Sequence, residues 1–283
     1  MATIGILSIG QMGKGVASLL LAHNFVVITN VSDRSPATQE RARSTSIECL
    51  SSDQELVARA DYILSIVPPR DAVQTAMRVV DVLRRDPSLR ASKQEPLYYL
   101  DLNAISPETA RRTGTLFEQE KRDAAIHGHH LADVLNTQHL DARIGTASGL
   151  KCTFAALSKG FTALALQSFT TAASLGVLPQ LQDYISQHSP GVNNRAEKGI
   201  TGCSSKAYRW IEEMNQIGEC FATEGGWPES ANVFRNIAGV YEGLARVVEK
   251  RGGTEGMEGL SGALSALTEG LMEENERGKT EVE

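Results

Sequence analysis

Residues 5–15 read GILSIGQMGKG, an apolar run that breaks into Ser8, Ile9, Gly10, Gln11, Met12 and Gly13. The order is that of a strand, a tight turn and the start of a helix. In the pattern G-x-G-x-x-G the first glycine makes the turn, the second lets a diphosphate approach the backbone, and the third lets helix and strand pack closely. Gly10 and Gly13 hold the last two places and Ser8 the first, a replacement that works if Ser8 keeps a negative φ, with its hydroxyl free to donate to a phosphate oxygen. The helix that follows would aim its free N–H groups and positive dipole end at the phosphates. Twenty positions after Gly13 comes Asp33, where an acidic side chain suits the ribose 2′-hydroxyl of NAD. Arg34 and Ser35 follow at once, and a guanidinium with a hydroxyl suits the 2′-phosphate of NADP. NADP is the reading taken, with NAD as its alternative. A strand-to-helix turn that binds nothing is the other way to read the motif.

A second group of reactive side chains lies in DAAIHGHH, residues 123–130. The imidazoles of His127 and His129, on either side of Gly128, could orient an anionic or carbonyl substrate or serve as acid and base. Adjacent residues at a strand end point in opposite directions, and no cysteine or carboxylate spacing completes a ligand set. No metal site is expected.

Holding such a turn requires a parallel sheet covered on both faces. Short β-branched runs near 3–8, 25–31, 46–50, 61–67, 97–102 and 122–127 alternate with helical patterns, which predicts an α/β fold, a Rossmann-type doubly wound parallel sheet. Ser52 with Glu55 forms a capping box, and Ser106 followed by Pro107 starts another helix. Residues 84–96 read as a polar surface loop. Past residue 145 the spacing of apolar residues turns to threes and fours, as in Val233, Ile237, Tyr241, Leu244 and Val248, closed by Gly252 and Gly253. The uncharged run from Gly160 to Gln182 reads as a buried helix, too polar to span a bilayer. Trp210, Met214, Ile217 and Phe221 share a face suited to core or dimer packing, and Arg209 and Glu213 are spaced to pair on the surface. The division expected is a dinucleotide-binding domain over 1–144, an all-helical substrate and dimerisation domain over 145–272, and a disordered tail over 273–283.

Composition narrows the partners. With 28 basic and 34 acidic residues and a net charge of −6, the chain lacks the clustered cations that nucleic acid requires, and the helical half shows no Arg and Lys cluster suited to a sugar phosphate. The four cysteines form no CxxC pair or disulfide framework, and the N-terminus enters a strand without a secretory signal. A cytoplasmic protein with a small-molecule substrate and no membrane partner is expected.

Four stretches in order, GILSIGQMGKGVA, ILSIVPPRDAV, LDLNAISPETA and GTASGLKCTFAALSKG, resemble the β-hydroxyacid dehydrogenase superfamily, which includes 6-phosphogluconate dehydrogenase and the imine reductases. The resemblance is strongest to the phosphogluconate dehydrogenase-like branch with an NAD-binding C-terminal domain. It implies that Val67, Pro68 and Pro69 pack against the nicotinamide riboside and that Asn103 approaches the nicotinamide and substrate. It also implies that Lys151, six residues after Gly145, is the acid/base, and that His127, Gly128 and His129 stand where a Ser-Gly-Gly loop binds the substrate carboxylate. The second glycine of the lysine motif is here Ala147, the asparagine four residues beyond is Ala155, and only fourteen residues separate His130 from Gly145 where the family inserts several dozen. By the same resemblance the protein is a homodimer that transfers a hydride between NAD(P) and a small hydroxy acid or its keto form. Imine reduction is the alternative, as is a dinucleotide-binding protein that has lost catalysis through the shortened segment.

Overall fold

The computed structural model describes residues 2–117 and 130–280. Its chain divides into two units, Met1–Ser148 and Gly149–Glu283. The first holds a five-stranded sheet made of β1 (Thr3–Leu7), β2 (Val26–Thr29), β3 (Glu48–Cys49), β4 (Tyr62–Ser65) and β5 (Tyr98–Asp101). The order is β3-β2-β1-β4-β5 and every pair is parallel, with Gly5 opposite Ile28 on one side and Ile63 on the other. The expected strand over 122–127 lies outside the described residues. β3 is only two residues long, well short of the run 46–50 that its composition suggested.

Side-chain alternation explains why the sheet is covered twice. Ile4, Ile6, Val27, Tyr62 and Leu64 face one buried layer, which α1 (Gln11–Ala22) closes with Ala17 and Leu20. Leu7, Ile28 and Ile63 face the other, closed by α3 (Asp53–Arg59) through Leu56 and Val57 and by α4 (Ala72–Arg85) through Val79. Two more helices, α2 (Pro36–Arg43) and α5 (Pro107–Phe117), complete the set. The caps form where the sequence placed them: Ser52 accepts from the Glu55 N–H at 3.2 Å, and Ser106 from the Thr109 N–H at 3.0 Å. The Glu55 carboxylate reaches the Ser51 N–H rather than that of Ser52. After residue 129 the short α6 (Leu131–Val134) buries Leu131 among the first layer, beside Tyr98 and Leu100.

The polar loop after α4 does more than cover surface. Arg90 donates to the carbonyls of Val57 and Ala60, and Lys93 to the carbonyl of Arg59 and to Asp61, so the loop ties off the C-terminus of α3. Such cations satisfy carbonyls that a helix end leaves unpaired.

The described residues of the second unit are all helical. α7 (Thr146–Ser174) begins at the end of the first unit, and α8 (Leu178–His188), α9 (Val192–Cys203), α10 (Ala207–Thr223), α11 (Val233–Lys250) and α12 (Leu260–Thr280) follow. Met214, Ile217, Tyr241 and Leu244 form its core with Phe169, Ile200 and Leu264. Gly252 and Gly253 take positive φ just past α11, as expected of a helix stop. The segment read as a tail is helical to Thr280, because a helix nucleated by the packed residues before it propagates readily through Glu, Arg and Lys. Among the described residues no helix is long and apolar enough to cross a membrane.

Asp61 sits where the start of the sheet meets this loop. Burial works to raise its pKa, but the Lys93 ammonium at 2.8 Å, the Thr3 N–H at 2.8 Å and the charge of Arg90 outweigh it and hold the carboxyl below its ordinary value. A carboxyl lowered by folding stabilises above its unfolded pKa of about 4, and that contribution is lost as pH falls through the lower folded value. Urea midpoints measured from pH 6 down to pH 3 should therefore fall, and Asp61→Asn should show a shallower fall than the parent.

Candidate functional site

All five strands being parallel, their carboxyl ends share one edge of the sheet, and the connection that leaves β1 runs toward β2 while the one that leaves β4 runs the opposite way, toward β5. The loops after β1 and β4 open a crevice at such a reversal. Residues 8–13 fill one side of it and residues 66–69 the other, joined by the Ile66 N–H bound to the Leu7 carbonyl at 3.3 Å.

The turn itself departs from expectation at its first residue. Ser8 has φ +79°, in the left-handed region, and not the negative φ on which its replacement of glycine was thought to depend. The reason is steric. A β-carbon placed on Gly13 would lie 2.5 Å from the Ser8 carbonyl oxygen, so strand and helix meet in near contact and the chain must reverse within one residue. Serine tolerates that backbone at a cost of about 1–2 kcal/mol. Around Gly10, by contrast, a β-carbon would meet nothing within 4 Å, which leaves the backbone open to an approaching group. α1 follows Gly10, its N-cap, with no side-chain cap and no acidic residue in its first turn. Its leading N–H groups and dipole thus point into a space that suits an anion.

Behind this turn stands a residue that the sequence did not single out. Arg41, on α2, donates from Nε to the Ile9 carbonyl at 3.0 Å and from a terminal nitrogen to Thr38 at 2.9 Å. It fixes the turn from outside. The carbonyl it holds is 32 residues away in sequence, so no local motif marks that role.

The end of β2 carries a charged relay. Asn30 is buried, accepts from the Ser32 N–H and hydroxyl, and donates to Asp53 at 2.8 Å. Asp53 in turn receives two bonds from Arg78, at 2.9 and 3.0 Å, and Arg78 also reaches Asp33 at 3.1 Å. Arg34 lies 3.4 Å from the same Asp33 carboxylate. Burial works against the charge on Arg78, but Asp53 and Asp33 more than restore it. Two guanidinium groups therefore gather at Asp33, where the sequence placed one. The Ser35 hydroxyl is within 3.4 Å of the Thr38 N–H and caps α2.

Val67, Pro68 and Pro69 leave β4 through a single 3-10 turn, Pro69–Asp71, into α4. Asn103 holds that loop. Its carbonyl oxygen accepts from the Val67 N–H at 2.7 Å, its amide donates to the Ser65 hydroxyl at 2.9 Å, and its own N–H donates to Asp101. The side chain is 6% exposed and is spent on joining the ends of β4 and β5. His127, Gly128 and His129 lie outside the described residues.

Lys151 belongs to the second unit, in the second turn of α7, and is exposed. Eight residues on, the ammonium of Lys159 lies 5.1 Å from the Trp210 ring centroid and pairs with Glu213. Glu213 thus serves Lys159 and not the Arg209 pairing that its spacing suggested. Burial, with the fields of Lys151, Arg209 and Lys206, pushes the Lys159 pKa down while Glu213 holds the ammonium in place. The fields of Lys151, Arg209 and Lys206 thus all reach Lys159, a convergence that the sequence spacing conceals. Among the described residues no group of side chains is arranged to hold a metal.

The fold and the turn are those of a Rossmann-type dinucleotide-binding architecture. The family described as NADP oxidoreductase coenzyme F420-dependent matches residues 3–88, and a domain of unknown function (DUF1932) matches residues 172–244. An uncharacterized 28.5 kDa protein of Methanothermus fervidus is 25% identical over 203 residues, 63% of this chain and 76% of its own. In structure the chain is similar to Mycobacterium tuberculosis 3-hydroxyisobutyrate dehydrogenase, with TM-score 0.57, 19% identity, and 87% of this chain and 99% of that one covered. It is also similar to a variant imine reductase of Myxococcus stipitatus in complex with NAD+, with TM-score 0.51, 17% identity, and 94% and 99% covered. The fold shared with these neighbours agrees with the resemblance to the β-hydroxyacid dehydrogenase superfamily.

Two outcomes follow from this geometry. Ser8→Gly should raise the unfolding free energy by roughly 0.5–1 kcal/mol, because relief of the left-handed penalty exceeds the added freedom of the unfolded chain; a higher urea midpoint at unchanged slope would show it. Asn103→Ala leaves the Val67 N–H without its partner and should cost about 1–3 kcal/mol on the same measurement.

Proposed function

We propose that the chain is an NADP-dependent oxidoreductase acting on a small hydroxy acid or its keto form, with Lys151 as acid/base. The observation that carries the reading is the uncapped start of α1 beside the open Gly10, at the reversal point of the sheet. The residues present fit a dinucleotide there. Ser8, Ile9, Gly10, Gln11, Met12 and Gly13 would hold the diphosphate; Asp33, Arg34 and Ser35, with Arg78 behind them, the ribose of the adenosine; Val67, Pro68 and Pro69 the nicotinamide riboside. When bound, the nicotinamide supplies the hydride acceptor or donor.

The protein's own part is to orient and to move a proton. Asn103 fixes the β4 loop and so sets the position of whatever rests on it. Oxidation of a hydroxyl carbon also releases the hydroxyl proton, and the amine of Lys151 takes it; in reduction the ammonium returns it. Lys159, Lys206 and Arg209 are further cations of the same helical unit. The same cations suit a substrate carboxylate. Arg34 and Arg78 support NADP over NAD, since a 2′-phosphate gains two guanidinium partners that a hydroxyl does not need.

Fluorescence titration with NADPH and NADH tests the cofactor. NADPH should bind more tightly, and Arg34→Ala should weaken NADPH by about tenfold while leaving NADH within twofold, the loss of one charge-assisted contact. A screen of hydroxy acids should then show turnover that Lys151→Ala lowers by about 100-fold or more with cofactor affinity unchanged. Turnover of imines that survives Lys151→Ala would assign imine reduction instead, and tight NADPH binding with no turnover would assign a binding protein.

A further inference from the structure

One carboxylate holds together the charged group at the end of β2. Asp53 opens α3, and its two oxygens take three hydrogen bonds from side chains of other segments. The Asn30 amide donates one at 2.8 Å, and Arg78 of α4 donates two, from Nε at 2.9 Å and from Nη2 at 3.0 Å. Asn30 in turn accepts from the Ser32 N–H and hydroxyl, so the same carboxylate also steadies the turn that carries Asp33 and Arg34. The side chains of Asp53 and Arg78 are 23% and 21% exposed, against 51% for Asp33. The pair therefore stands behind the exposed carboxylate.

The fork of Arg78 gives that grip its consequence. A guanidinium has two edges that can each donate a parallel pair of N–H groups, Nε with Nη2 at the side and Nη1 with Nη2 at the end. Asp53 fills the side edge with both of its oxygens. The end edge is thereby turned toward Asp33, which takes Nη1 at 3.1 Å, and each terminal nitrogen keeps a second hydrogen. Arg34 adds a donor nearby: its Nε is buried, makes no hydrogen bond and lies 3.4 Å from Asp33. A phosphate, with three strong acceptor oxygens, can take all of these donors together, whereas a ribose hydroxyl cannot. We propose that Asp53 is a positioning residue: by gripping the side edge of Arg78 it presents the end edge to the 2′-phosphate of NADP and so sets the preference for NADP over NAD. The assignment rests on the cofactor reading above and extends it to a carboxylate that touches no coenzyme. Its physical basis is preorganisation. A free arginine must lose its rotamer freedom when the anion arrives, and Asp53 has ordered it beforehand.

Fluorescence titration of the full chain with NADPH and NADH tests the assignment through the two dissociation constants. Asp53→Asn should raise that of NADPH by about tenfold and leave that of NADH within about twofold, because one charge-assisted contact loses its aim while the turn itself remains. Arg78→Lys keeps the charge but cannot form the fork, and should shift the ratio to the same extent. In an Arg78→Ala background, Asp53→Asn should change neither constant further, since the carboxylate acts only through that guanidinium. If Asp53→Asn lowers the helical signal in circular dichroism, Arg78→Lys carries the same expectation in its place. A purely structural Asp53 would weaken both coenzymes together and would do so in the Arg78→Ala background as well; that result overturns the proposal. Asp53→Asn or Arg78→Lys chains that bind NADPH as tightly as the parent, or more tightly, overturn it too and leave the cofactor reading intact. A parent that binds neither coenzyme overturns the cofactor reading itself, and this assignment with it.

Discussion

The contact between the Ser8 carbonyl and the missing side chain of Gly13 sets the geometry of the first unit. With 2.5 Å between that oxygen and the place a β-carbon would take, α1 lies as close to β1 as a backbone allows. Closeness has two effects. It lets Ala17 and Leu20 reach the sheet layer formed by Ile4 and Ile6, and it brings the start of the helix level with the carboxyl ends of the strands. The left-handed turn at Ser8 is the strain that this approach requires. Arg41, bound to the Ile9 carbonyl, then keeps the strained turn from relaxing outward.

A second constraint fixes the opposite wall of the crevice. The loop after β4 carries two prolines in succession, which remove backbone donors, so it has few hydrogen bonds with which to hold itself. The Asn103 amide supplies the missing anchor from the next strand. This arrangement leaves Asn103 buried and fully used within the fold. Its proposed part at the nicotinamide is therefore to place the Val67–Pro69 backbone, which a side chain locked by two bonds does better than a free one.

How much of this was legible in the sequence differs by the range of the interaction. Caps at Ser52 and Ser106, the strand order of turns and runs, and the helix stop at Gly252 are decided by neighbours within four residues, and all could be read. The roles of Arg41, Arg78 and Asn30 could not, because the contacts that give them those roles, to Ile9, Asp33 and Asp53, span 23 to 45 residues and nothing local foretells them. The positive φ of Ser8 was missed for a related reason. Serine does not advertise a left-handed backbone as glycine does, and the need for it comes from the helix that arrives five residues later. Glu213 shows the same limit in the helical unit, where a tertiary partner, Lys159, displaced the local pairing with Arg209.

The helical unit also shows why apolar composition alone does not say what an element faces. α7 has apolar residues nearly all round, and the reading of a buried helix followed from that. Its inner residues are small, chiefly alanine, glycine and threonine, which lets α9 and α11 approach: Gly199 lies against Thr162, and Gly160 against Phe234 and Ile237. Leu150, Phe154, Leu157 and Leu164 are turned outward, while Leu166 and Phe169 fill the core. Where the neighbouring helices come nearest, small residues on α7 make the close approach possible. Exposure, not composition, thus separates the two faces: Phe154 and Leu157 stay open while Phe169, equally apolar, is buried.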